Sequence, residues 1–92
     1  MKYLIYSEMK ELSKKTWEKV LEIEKGRQER GETFDQTGEM IGQYMTLDGK
    51  GFTIIETDDV SSIIKWTTAY GSFGKIKVVP VLNRKEMNEA MK

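Results

Sequence analysis

Apolar positions along this chain follow two rhythms, and the points where the rhythm changes divide it into elements. Residues 3–6 (Tyr-Leu-Ile-Tyr) are an unbroken aromatic and aliphatic run, the composition of a strand. From 11 to 25 the period lengthens to that of a helix. Trp17, Val20, Leu21 and Glu24 fall on one stripe with Ile23 beside it, and Lys14, Lys15, Glu18, Lys19 and Glu22 take the wet side. Ser13 suits an N-cap, and the helix is expected to end near Gly26. Residues 26–38 then hold one apolar anchor, Phe34, among polar and turn-forming residues. About a dozen residues is long for a connection and allows a lid or an interface loop; a solvated loop is the plainer expectation.

Two further strand-like runs, 40–47 and 52–57, flank Asp48-Gly49. Asp-Gly between such runs predicts a type I′ hairpin with 48–49 as its two-residue loop. That register sets Met45 opposite Phe52, Gln43 opposite Ile54 and Ile41 opposite Glu56 on one face. Tyr44 opposite Thr53 and Gly42 opposite Ile55 take the other, and a slip of one residue would exchange the two faces. Thr57, Asp58 and Asp59 open a second helix with an acidic first turn. Its stripe is Val60, Ile63, Ile64 and Thr67, with Trp66 and Tyr70 on an adjacent one and Gly71 as a left-handed stop. The last strand, 75–82, contains Pro80, which demands an edge or a strand end. Asn83 and Glu86 resemble a capping box for a short terminal helix bearing Met87, Ala90 and Met91.

The order β-α-β-β-α-β plus a terminal helix predicts an α+β, ferredoxin-like fold with a four-stranded antiparallel sheet. Ninety-two residues suffice for one domain, 1–92. A core of that size is thin, so association with a second copy is expected. Lysine plus arginine equal aspartate plus glutamate at 15 each, which removes the basic excess that nucleic acid or anionic membrane binding relies on. The chain has no cysteine and no histidine. Disulfides, thiolate nucleophiles and cysteine-held metals are thereby excluded, and so are the commonest general base and the commonest transition-metal ligand. No cofactor is expected. Without a signal peptide or a run of about 20 apolar residues, the expected location is the cytoplasm.

Three features resemble the dimeric α/β-barrel superfamily, in particular a small family of unknown function within it. They are the strand Gly51-Phe52-Thr53-Ile54-Ile55-Glu56 running into Asp58 and Asp59, the helix pair Trp66 and Tyr70, and the closing Val78-Val79-Pro80-Val81. The resemblance implies a homodimer in which two sheets pack face to face, with ligand clefts between sheet and helices. It also implies a range of activities, including cofactor-independent monooxygenases, isomerases, ligand sensors and haem-degrading enzymes. The last hold their iron through histidine, and this chain has none.

No catalytic signature stands out. On the expected hairpin face Gln43 and Glu56 are polar residues among Ile41, Met45, Phe52 and Ile54. A buried Glu56 would have a raised pKa and could act as acid or base with Gln43 as partner. The plainer expectation puts Glu56 at a strand end, in water or capping the second helix. Trp66 with Tyr70 would make an aromatic wall for a flat ligand, or simply pack the core or dimer seam. Tyr3, Tyr6 and Tyr44 add hydroxyls to the sheet. The candidate contacts of a small organic ligand are therefore Tyr6, Gln43, Glu56 and Trp66, with Glu56 the one candidate catalytic group. Arg27 and Arg30 in the connection could meet an anion, although exposed basic residues there usually only solvate a surface. RNA-recognition domains share this element order, but Ile54 and Thr57 stand where their third-strand signature requires rings. The alternatives that stay open are a ligand-binding homodimer, a cofactor-free oxygenase or isomerase, and a non-catalytic assembly module.

Overall fold

A computed structural model describes residues 1–92. The chain runs β1 (Lys2–Met9), α1 (Lys14–Glu29), α2 (Phe34–Thr37), β2 (Glu39–Met45), β3 (Lys50–Glu56) and α3 (Val60–Tyr70). A 3₁₀ turn (Gly71–Phe73), β4 (Gly74–Pro80) and α4 (Arg84–Ala90) complete it. All strand pairs are antiparallel and the sheet order is β2-β3-β1-β4, the ferredoxin-like arrangement expected from the element order. Pro80 closes β4 on an edge of the sheet, where its missing N–H costs no ladder bond. No helix is long and apolar enough to cross a membrane.

One face of the sheet carries the core. Ile5 and Ile55 are each 1% exposed, and with Phe34 and Ile63 they form a buried cluster. Tyr3, Met40, Trp66, Ile76 and Val78 pack around it. Burying one such aliphatic side chain is worth about 1.5–3 kcal/mol, so four buried apolar residues make a small core. Alternation of side chains then assigns Tyr6, Phe52, Ile54 and Glu56 to the opposite face.

The hairpin register differs from the expected one by a single residue. Thr46 pairs with Lys50 through its N–H (2.7 Å to the Lys50 carbonyl), and Gly49 donates to the Thr46 carbonyl at 3.1 Å. The loop is therefore Leu47-Asp48-Gly49, a three-residue loop ending in a left-handed glycine, φ 86°. The cause is local: the Thr46 hydroxyl binds the Asp48 carboxylate and accepts the Lys50 N–H (3.0 Å), which fixes the wider turn. Tyr44 consequently sits opposite Phe52, Gln43 opposite Thr53 and Met45 opposite Gly51. A bulge between Met40 and Gly42 restores Met40 to the core face opposite Ile55 and leaves Glu39 opposite Glu56.

The first helix also outruns its expected end. Gly26 lies within α1, and the stop is Gly31 (φ 71°). Glu32 donates to the Arg27 carbonyl (2.9 Å) and Gly31 to that of Gln28 (3.2 Å), the paired bonds of a Schellman motif. Residues 26–38 are thus no open loop: one turn of helix, a cap, and α2 with Phe34 buried at 3% exposure. In α3 the buried face is Ser62, Ile63 and Trp66, whereas Val60 and Ile64 are more than half exposed. Stacking of Trp66 on Phe34 turns the helix that way. Gly71 is right-handed (φ −59°), and the helix tightens into the 3₁₀ turn instead of stopping on a left-handed residue.

Candidate functional site

Between α1, α2, α3 and the core face of the sheet lies a cavity of 460 Å³, within the size range of small-molecule sites. The stripe of α1 supplies Trp17, Val20, Glu24 and Arg27. Phe34 comes from α2, Trp66 and Tyr70 from α3, and Gln43, Met45 and Thr53 from the sheet. The aromatic residues form a connected wall. Phe34 and Trp66 stack at 5.9 Å between centroids and 26° between planes, and Trp66 meets Tyr70 at 5.0 Å and 46°.

Arg27 closes one end of that wall. Its guanidinium lies 5.5 Å from the Phe34 ring centre and 5.4 Å from that of Tyr70, cation–π distances on both sides. It donates from Nη2 to the Glu32 carbonyl (2.9 Å) and from Nη1 to the Tyr70 hydroxyl (3.4 Å). At 4% exposure it is far from the solvated loop position expected of it; Arg30, by contrast, is exposed and pairs with Glu32 at 3.2 Å. Arg27 continues the 17, 20, 24 stripe at helical spacing, so a charged residue in an apolar stripe was the signal that pointed to it once α1 extends to Glu29.

The four candidate contacts divide between the two faces of the sheet. Gln43 and Trp66 line the cavity. Tyr6 and Glu56 lie on the opposite face, so Gln43 is no partner of Glu56. Glu56 is exposed at the end of β3, across from Lys2 and Glu39, beside a shallow polar recess with Thr57, Asp58 and Asp59. Tyr6 packs on Phe52 (5.3 Å, 57°) and donates its hydroxyl proton to Glu8 at 3.3 Å. Burial in that face raises the Tyr6 pKa, and the Glu8 charge pushes the same way. Tyr44, 74% exposed, extends this row across β2, so three aromatic rings cross the open face of the sheet.

Residues 1–92 match the sequence model of a family described as Domain of unknown function (DUF3303). The chain belongs to the DUF3303 family. No curated protein matches it significantly. The cavity of this DUF3303 chain combines aromatic surface with a few polar groups. Ser7, Thr33 and Thr53 bring hydroxyls to it, and Glu24 and Asp35 bring carboxylates. Its polar groups suited to orientation are the Gln43 amide, the Tyr70 hydroxyl and the Arg27 guanidinium.

Proposed function

We propose that this protein is a homodimer that binds a small organic molecule in the cavity between helices and sheet. The observation that carries the reading is the continuous wall of Phe34, Trp66 and Tyr70 against a 460 Å³ space, with Gln43 opposite as a polar contact. Convergence of aromatic surface and a few polar groups on a concave site is the usual build of a ligand pocket. Of the residues named from sequence, Gln43 and Trp66 serve this site. Tyr6 and Glu56 belong to the other face and serve the subunit contact.

Support for the dimer comes from shape. Scaling for a folded monomer of 10.7 kDa gives roughly 5,500 Å² of accessible surface, whereas this chain exposes 6594 Å². The difference is of the order of one partner's share of a standard interface, about 800 Å². The open face, with Tyr6, Phe52 and Tyr44 flanked by Leu4, Ile54 and Val79, is the surface a second copy would cover, as in dimeric α/β barrels. A row of rings on such a face also suits RNA. Lys2, Lys50, Lys75 and Lys77 are nearly balanced there by Glu8, Glu39 and Glu56, however, and counterion release needs a basic surplus.

A fragment screen of small aromatic compounds followed by protein-observed NMR tests the pocket. Shifts are expected at the Trp66 indole N–H and the Gln43 side-chain amide, and are lost in Trp66→Ala. Shifts confined to Tyr6, Phe52 and Tyr44 would move the binding site to the other face and defeat the reading.

A further inference from the structure

Arginine stays charged at every pH at which a protein is folded, and a charge withdrawn from water needs a counter-ion or a full set of acceptors. Arg27 has neither. None of the chain's ion pairs includes it. Of its five N–H donors, two are engaged, both by neutral oxygens and one at a long 3.4 Å. Its Nε is sealed from solvent and donates to nothing, the one buried side-chain polar atom in the protein left in that state. The C-terminal end of α1 and the two aromatic faces offset part of the charge without neutralising it.

We infer that the ligand of the cavity is a small monocarboxylate with a flat, aromatic body, whose carboxylate pairs with Arg27 while its ring lies along Trp66 and Tyr70. The inference rests on the pocket reading above and specifies its ligand. An incoming carboxylate supplies the missing counter-ion, and a guanidinium edge accommodates it in a fork geometry. A single negative charge fits better than a phosphate dianion. Glu24 and Asp35 also line the cavity, whereas Lys75, the other cation at its rim, turns its side chain to the open face of the sheet by alternation with Ile76.

The test titrates the full chain with benzoate, benzamide, acetate and inorganic phosphate, following the Arg27 Nε–H resonance by NMR and affinity by calorimetry. Benzoate is expected to bind at least about tenfold more tightly than its neutral isostere benzamide, as one charge-assisted hydrogen bond would produce, and to shift the Nε–H resonance. Acetate is expected to bind more weakly than benzoate, and Arg27→Met to erase the preference for benzoate over benzamide. Should Arg27→Met not fold, the selectivity of the native chain and its Nε–H shift decide the matter alone. Equal affinity for benzoate and benzamide would leave the pocket standing and overturn the anion assignment. Phosphate binding as tightly as benzoate would overturn the aromatic carboxylate. Binding of none of the four at millimolar concentration would remove the pocket itself, and the inference with it.

Discussion

Gly49 holds its φ of 86° at the end of the hairpin loop, packed within 3.6 Å of Met9 and Leu12 once a Cβ is imagined on it. A side chain there pays the left-handed penalty of roughly 1–2 kcal/mol, so Gly49→Ala should lower unfolding stability by about that much in urea denaturation. Gly38 is a different case. Its backbone is extended, but a Cβ would fall on the Glu56 carbonyl oxygen and 2.9 Å from Thr57 Cβ, neither of which can move freely. Overpacking of that kind costs about 1–3 kcal/mol, and Gly38→Ala should show it together with displaced Phe34 resonances, since Gly38 joins α2 to the sheet. Residue identity alone announced the turn at Asp48-Gly49 but not its length. The deciding group was the hydroxyl of Thr46, a side-chain bond to backbone that no alternation of apolar residues encodes. Arg27 was obscured in the same way: Gly26 beside it reads as a helix end, whereas the motif that ends α1 is completed at Gly31.

Among the elements, the sheet and its order followed from the sequence because strands and helices differ in period, and Ser13 and Asn83 cap the helices they were expected to cap. Of Thr57, Asp58 and Asp59 it is Asp59 that caps α3, and the expected acidic first turn is not there, because both aspartates precede the helix. The faces did not follow, because a one-residue change in the loop exchanges them and takes Glu56 away from Gln43. The terminal helix α4 meets β1 through Lys2 and Glu86 at 3.1 Å. The Asn83 backbone N–H, with Lys2, holds the Glu86 carboxyl below its usual pKa, and the Glu86 hydrogen bond raises that of Lys2. A depressed acid stabilises the fold above its unfolded pKa and loses that contribution as pH falls through the folded value; a raised lysine loses its share only as pH climbs through its own folded value. The contact is therefore intact around neutrality. Amide chemical shifts of residues 84–90 should move toward coil values on acidification below the ordinary carboxylate range while Ile5 and Ile55 keep theirs. Glu86→Ala, which removes both the acceptor for the Asn83 N–H and the partner of Lys2, should show those coil-like shifts already at pH 7. A helix in the variant as well ordered as in the native chain would show that the cap and ion pair do not hold α4.

At the scale of the whole molecule the chain is drawn out. Its radius of gyration is 14.2 Å, where about 12.3 Å is typical for its length, and its principal extents are 49 × 30 × 17 Å. A sheet with α1, α2 and α3 gathered on one side leaves most of the other side to water or to a partner, and this one presents aromatic rings there. If two copies cover those faces, Phe52 is central to the contact: it lies on β3, an inner strand of the sheet, between Tyr6 and Tyr44. It is also 37% exposed in the single chain, so replacing it spares the core. Phe52→Glu should convert a dimer into a folded monomer, with the sedimentation mass falling to 10.7 kDa and the far-ultraviolet dichroism unchanged. A charge at the centre of a closed apolar contact is uncompensated, which is why the loss should be complete rather than a modest weakening. The same variant separates the two halves of the proposal, because the cavity is lined by Gln43 and Trp66 from the opposite face and should still take its ligand. A native chain that sediments as a monomer at high micromolar concentration would leave the aromatic row without a second copy to cover it.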